Sequence, residues 1–207
     1  MKILQLHEVG VEAAAKEAAL VLRKGGIVLY PTDTLYGLAV DAGNIPALTR
    51  LRELKGREKK KPISIVVKSH TVLEEYAELT EEAHTLAQRF LPGPLTLVVP
   101  ARPAVAAELL LNGAVGLRIP NHPFTTAFSR IFGKPYTATS ANRSGLISAT
   151  SVAEAIEQFG PRVQEIDLVI DAGICENNTP STVLIYQDGI LRVLREGKMS
   201  REELGLI

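Results

Sequence analysis

Ile27-Val28-Leu29-Tyr30-Pro31-Thr32-Asp33-Thr34-Leu35-Tyr36-Gly37-Leu38 is the stretch on which the fold turns. Its first four residues are a short apolar run with β-branched members, bounded by punctuation on both sides, and they read as a strand. Pro31 ends it, because proline has no N–H to give to a sheet. Upstream, Val11 to Lys24 is rich in Ala and Leu at helical spacing. Gly25-Gly26 stops that helix after Arg23 and Lys24. A helix, a glycine stop and a buried strand emptying into a polar loop make an α/β unit.

The same logic recurs outward from this stretch. Asn44 with Pro46 starts a second helix that fades near Lys55-Gly56, and Ile63 to Val67 reads as a strand. Thr80 caps a helix ending at Leu91-Pro92-Gly93. Leu95 to Val99 and Val115 to Ile119 read as strands, with a helix expected around Ala104 to Leu111 between them. Asn121 and Pro123 begin a helix that Gly133 ends, and Tyr136 to Thr139 is a short strand. Ser151-Val152-Ala153-Glu154 is a capping box opening another helix. Leu168 to Ile170, Thr182 to Tyr186 and Leu191 to Leu194 read as strands, the last two joined as a hairpin at Asp188-Gly189. A hairpin closing an α/β chain makes the sheet mixed rather than purely parallel.

Composition bounds the function. The chain has 207 residues, 46% hydrophobic and 22% charged, as expected of one globular domain over 1–207 with its own core. Lys+Arg and Asp+Glu are both 23, which argues against a whole-surface electrostatic nucleic-acid binder and leaves room for a local basic patch. Cys175 is the single cysteine. It excludes an internal disulfide framework and a cysteine zinc site, and fits a reducing, cytoplasmic setting. The opening Met1 to Glu8 has too short an apolar stretch for a signal peptide, and no run approaches the roughly 18 apolar residues of a membrane span. Phosphate-loop, G-x-G-x-x-G and H-E-x-x-H motifs are absent, and His7, His70, His84 and His122 lack metal-ligand spacing.

Three polar clusters leave or follow the strands. Thr32, Asp33 and Thr34 put two hydroxyls and a carboxylate at a strand exit beside Gly37. They suit a small polar substrate, and equally a Thr/Asp turn. Lys55-Gly56-Arg57-Glu58-Lys59-Lys60-Lys61-Pro62 concentrates positive charge in a neutral chain. It suits a polyphosphate, or is a solvated lysine-rich loop. Thr137 to Gly145, with Ser148 beyond, packs hydroxyls, an amide, an arginine and a glycine after a strand. Such loops line the ligand edge of α/β sheets, and also form simple turns. Arg118 lies inside the apolar strand Val115 to Ile119 and requires an anion there, either an internal carboxylate or a ligand. Arg195 follows the last strand; it is either a surface arginine or part of a site with Pro180-Ser181-Thr182.

Together these pieces resemble a known family. The ordered set P-T-x-T-x-Y-G-L, K-x-R, G-L-R-x-P, S-A-N-x-S-G, S-T-V and a late Arg-Glu-Gly, running from about Gly25 to Gly197, resembles the YrdC-like family, the threonylcarbamoyl-AMP synthases. The resemblance implies a YrdC-like α/β fold, a twisted mixed sheet with flanking helices and a concave, positively charged groove. It implies a nucleotidyltransferase that joins L-threonine, bicarbonate and ATP into L-threonylcarbamoyladenylate and pyrophosphate. That product feeds N6-threonylcarbamoyladenosine formation at position 37 of tRNA. ATP is then a substrate carrying its own Mg²⁺, with no protein-bound metal. Direct tRNA binding and downstream threonylcarbamoyl-transferase proteins are the implied partners, and no membrane is involved.

By the same resemblance, Thr32, Thr34, Arg118 and Ser181 form the threonine and bicarbonate side. Lys55 and Arg57 are the catalytic triphosphate clamp, and Lys61, Ser140, Asn142, Ser148 and Arg195 are further nucleotide contacts. The chemistry asks for such a set. A carbamate oxygen attacks the α-phosphorus of ATP, so two anions meet and fixed cations must offset their repulsion. The carbamate and the mixed anhydride are water-labile, which makes Gly56 and Lys59 to Lys61 a candidate lid. The sequence departs from the pattern at Glu58 and Lys61, where many relatives have Pro and Asn, and at Val66, where longer relatives carry a His. Ending at Ile207, the chain resembles the short, commonly bacterial form without the additional C-terminal domain. Three alternatives stand beside the synthase: an RNA-binding YrdC-like protein without synthase activity, a YciO-like paralogue, and a carbamoyl-transfer module like that of hydrogenase maturation proteins. The last normally sits beside zinc fingers, which a lone cysteine excludes.

Overall fold

The computed structural model describes residues 1–58, 61–175, 179–187 and 189–206. Among them, ten strands form one sheet: β1 (Lys2–Gln5), β2 (Val28–Tyr30), β3 (Gly37–Ala39), β4 (Ser64–Val66), β5 (Leu95–Pro100), β6 (Ala114–Arg118), β7 (Tyr136–Ser140), β8 (Leu168–Asp171), β9 (Thr182–Gln187) and β10 (Ile190–Arg195). Their spatial order is β1-β8-β2-β3-β7-β4-β6-β5-β9-β10. β8 runs parallel to β1 and β2, β4 to β6, and β5 to β9; the remaining neighbours are antiparallel. The sheet is mixed, as the closing hairpin requires. Asp188, expected in that hairpin's turn, lies outside the described residues.

The helices are α1 (Leu6–Val9), α2 (Val11–Arg23), α3 (Ile45–Lys55), α4 (His70–Tyr76), α5 (Glu81–Phe90), α6 (Pro123–Phe132) and α7 (Val152–Phe159). Their ends follow local chemistry. Asn44 Oδ1 accepts from Ala47 N at 3.0 Å to start α3, and Gly56 stops it at a left-handed φ of 61°. Thr80 and Ser151 cap α5 and α7 in the same way. The Glu154 carboxylate reaches back to Thr150 N at 2.8 Å, one residue earlier than a capping box specifies. His122 caps α6, in place of the expected Asn121.

Residue parity on the strands organises the core, since successive side chains of a strand face opposite ways. Leu29, Leu38, Ile65, Leu97, Val115, Leu117, Val169 and Leu184 join one cluster with residues of α3, α4, α5 and α7. Their strand neighbours Val28, Tyr30, Ala39, Val66, Tyr136, Leu168 and Ile170 join a second cluster, against α2 and α6. The two helices covering that second face pack on each other and reach only part of it.

One expected element needs correction. The helix around Ala104 to Leu111 is absent except for a 3-10 turn at Ala107–Leu109. The Glu108 carbonyl is taken by Arg52 Nη2, and Leu111 pairs with Ala114 across a tight turn in which Asn112 (φ 50°) and Gly113 (φ 77°) are left-handed. Helical propensity here yields to tertiary contacts. The sequence reading also passed over β1, β3 and α4, which are short segments without a strong periodic pattern.

Candidate active site

The uncovered part of the second face is a cavity. β4 contributes Ser64, β5 Thr96 and Val98, β6 Gly116 and Arg118, β7 Ala138 and Ser140, β9 Val183 and β10 Arg195. On β4, β5 and β6 these are the strand positions whose neighbours Ile65, Leu95, Leu97, Val99, Val115 and Leu117 sit in the first core cluster. Gly116 leaves room for Ser64, since a Cβ there would run into Ser64 Oγ and force that side chain to move. Gly197, the glycine of the late Arg-Glu-Gly, lies so close to the Pro180–Ser181 backbone that no side chain fits.

One end is built around Arg118. It is buried, 8% exposed, and its Nη2 donates to Asp33 Oδ1 and, at 3.0 Å, to Thr34 Oγ1. Asp33 Oδ2 also accepts from Asn121 N at 3.2 Å. Of the two anions the sequence left open for Arg118, the internal carboxylate is present in this structure. Among the described residues Arg118 Nε is buried without a hydrogen-bond partner. Thr32 Oγ1 shares a hydrogen bond with Thr34 Oγ1 at 3.0 Å, donates to Leu35 O and accepts from the Leu35 amide, so it also closes a local turn.

Beside it, Arg195 donates to Ser181 O at 2.8 Å and to Ser181 Oγ at 3.1 Å. Ser181 Oγ and Thr96 Oγ1 are 2.9 Å apart in the interior. Burial, and then the charge of Arg118, pull the Arg195 pKa down from its ordinary value. Arg57 also lines the cavity; it donates to Pro62 O at 2.6 Å, and its Nε is buried without a partner among the described residues. Burial and the neighbouring charge of Arg52 lower its pKa as well.

The cavity brings together Thr32, Thr34, Arg57, Arg118, Ser140, Ser148, Ser181 and Arg195 from the expected set. It does not bring in Lys55, Lys61 or Asn142. Lys55 turns inward from the end of α3 and is 1% exposed. Its Nζ donates to Ser140 O, to Asn142 O at 2.8 Å and to Asn142 Oδ1 at 3.4 Å. Burial, with Arg57 second, lowers its pKa from 10.5 to about 7. Asn142 is buried too; its amide donates to Leu146 O at 2.6 Å, and its Oδ1 accepts from Ser140 Oγ. Both residues therefore brace the loop that presents Ser140. Lys61 points outward and pairs with Glu58 at 3.1 Å.

Sequence reasoning missed Ser64, Thr96 and Arg52, and gave Gly116 no role beyond its place in the G-L-R-x-P motif. Thr96 had a signal, a hydroxyl within the apolar run Leu95 to Val99. Arg52 sits beneath the basic loop and donates to Glu58 O at 3.1 Å and Lys61 O at 2.8 Å, as well as to Glu108 O. It thereby ties down both flanks of the segment expected to act as a lid. Lys59 and Lys60 themselves lie outside the described residues. Among the described residues no three His, Cys, Asp or Glu side chains gather to hold a metal ion, and no helix is long and apolar enough to cross a membrane.

Comparison with known proteins bears on this site. Residues 20–197 match the Sua5/YciO/YrdC family, described as telomere recombination. A Methanocaldococcus jannaschii protein provisionally named threonylcarbamoyl-AMP synthase is 34% identical over 98% of this chain and 96% of its own length. The threonylcarbamoyl-AMP synthase of Bacillus subtilis is 35% identical over 91% of this chain, which spans 54% of that protein. The crystal structure of P. abyssi Sua5 complexed with L-threonine superposes with a TM-score of 0.85 at 36% identity, covering 92% of this chain and 56% of that one.

Proposed function

Because the chain belongs to the Sua5/YciO/YrdC family, we propose that it is a threonylcarbamoyl-AMP synthase, joining L-threonine, bicarbonate and ATP into threonylcarbamoyl-AMP and pyrophosphate. One observation carries the reading. The cavity lining holds three guanidiniums, those of Arg57, Arg118 and Arg195, with the hydroxyls of Thr34 and Ser181; among the described residues no carboxylate lines it, and Asp33 pairs with Arg118 from just outside. Such a lining suits two anionic partners that must approach each other.

In this reading Arg118, Thr34, Thr32 and Ser181 take the amino-acid end. The carboxylate of threonine accepts from the cavity-facing part of Arg118, and the hydroxyls orient the carbamate formed from its amine and bicarbonate. Arg57 and Arg195, with Ser140 and Ser148, take the nucleotide. The carbamate oxygen attacks the α-phosphorus, and Arg57 offsets the charge that develops on departing pyrophosphate. Lys55 and Asn142 act from behind, holding the Ser140 loop in place; Lys61 would have to leave Glu58 to reach a phosphate. Mg²⁺ arrives with ATP. The proposal extends to one domain over 1–207 with a concave, positively charged groove, and to a cytoplasmic role. There the product passes to threonylcarbamoyl-transferase proteins for tRNA modification, with direct tRNA contact as a separate element.

Pyrophosphate release tests the reading. It should require ATP, threonine and bicarbonate together, and fall to background when any one is omitted. ATP left untouched in every combination would favour an RNA-binding or YciO-like role.

A further inference from the structure

The three guanidiniums of the cavity are not electrically equivalent. Arg57 donates to the Pro62 carbonyl, and Arg195 to the Ser181 carbonyl and hydroxyl. Among the described residues neither pairs with a carboxylate. Arg118 is the one of the three that is paired among those residues, with Asp33, and both side chains are only 9% exposed. A second donor, the Asn121 amide at 3.2 Å, anchors the Asp33 carboxylate. Arg118 Nη2 is thus occupied by Asp33 and Thr34, while its Nη1 makes no hydrogen bond among the described residues. The pair offers the cavity a directional donor with little net charge.

A cavity with three bare guanidiniums would hold a triphosphate wherever it landed. An amino acid that is zwitterionic in solution would lose that competition at both ends. We infer that Asp33 is a positioning and specificity-determining residue: it fixes the Arg118 guanidinium and offsets its charge, so that this end takes an α-amino-acid carboxylate and turns away polyphosphate. Specificity here comes from weakening the wrong ligand as much as from gripping the right one. The inference rests on the synthase reading for the identity of the amino acid, though not for the exclusion of polyphosphate.

Titration calorimetry with inorganic tripolyphosphate and L-threonine as probes tests it on the full chain. In the wild type, saturating tripolyphosphate should change the affinity for threonine by no more than about twofold. In Asp33→Asn, tripolyphosphate should bind about tenfold tighter, roughly the effect of one uncompensated neighbouring charge. It should also become competitive with threonine, and Asp33→Glu should restore the exclusion. Loss of threonine affinity that is the same with and without tripolyphosphate would mark Asp33 as merely structural and overturn the inference. So would competition between the two probes already in the wild type, a result that needs no variant. If Asp33→Asn does not fold, the wild-type titration alone decides. A wild type that binds tripolyphosphate but no threonine would defeat the synthase reading, while the tenfold gain in Asp33→Asn would still be read from tripolyphosphate alone.

Discussion

Val28, Tyr30, Ala39, Val66 and Tyr136 project from one face of the sheet into the apolar cluster against α2 and α6, whereas Ser64, Thr96, Gly116 and Arg118 project from the same face into an open cavity. In the covered part, Phe128 lies tilted against Tyr136 with ring centroids 4.5 Å apart and meets Tyr30 edge-on at 6.0 Å. In the open part the same parity carries hydroxyls, a glycine and an arginine. Tyr30 belongs to both, since it packs in the aromatic cluster and lines the cavity. The site is thus no separate pocket inserted into the fold. It is the stretch of a continuous face that the helices leave bare, supported from behind by the other core.

If that division is real, damage on one side should not read out on the other. The largest effect expected is on stability. Phe128→Ala in the aromatic part should cost about 3–5 kcal/mol in urea unfolding, while the KM values of the folded fraction stay at their wild-type levels. A KM that moves with stability would join the two parts. Next comes Arg57→Ala, which should lower kcat/KM about 100-fold, equivalent to about 2–3 kcal/mol, with little change in melting temperature. Arg57→Lys should recover only part of the loss, because an ammonium lacks the planar fork.

Lys55 gives a subtler test. With its folded pKa near 7 and its unfolded value near 10.5, the folded state binds fewer protons than the unfolded chain between those values. This group therefore makes stability rise with pH across that window, and its burial penalty is complete below about pH 7. Lys55→Met should flatten the slope, measured as unfolding free energy at pH 6.5, 8 and 9.5. A slope identical to wild type would show that Lys55 stays charged throughout. The smallest effect belongs to Lys61→Ala. Its exposed pair with Glu58 is worth about 0–1 kcal/mol, so turnover at ordinary salt should hardly change. A defect as deep as that of Arg57→Ala would restore Lys61 as a phosphate contact.

Much of this arrangement was legible in the chain. A lone arginine between Leu117 and Ile119 announces a strand with one polar face, and Asn44 and Gly133 announce helix ends. What stayed hidden is direction and partner. Nothing in Lys55-Gly56-Arg57 says that one cation turns into the core while the other faces the cavity, because that depends on the Ser140–Asn142 carbonyls brought from 85 and 87 residues away. The Ala- and Leu-rich segment after Pro103 has the propensity of a helix, and only Arg52 and the Asn112–Gly113 turn explain why it is not one. Gly37-Leu38-Ala39 is too short to declare itself as a strand, yet its pairing with β2 and β7 is what carries Thr32 and Thr34 to the cavity rim.

The central claim is that this bare part of the sheet face joins an amino acid to AMP through a carbon taken from bicarbonate. Incubation with ¹⁴C-bicarbonate, threonine and ATP, followed by separation of the nucleotides, addresses it directly. The account predicts a labelled adenylate that forms with threonine, matches the pyrophosphate released and is lost in Arg57→Ala. ATP cleaved to AMP and pyrophosphate with no label in any nucleotide would contradict it.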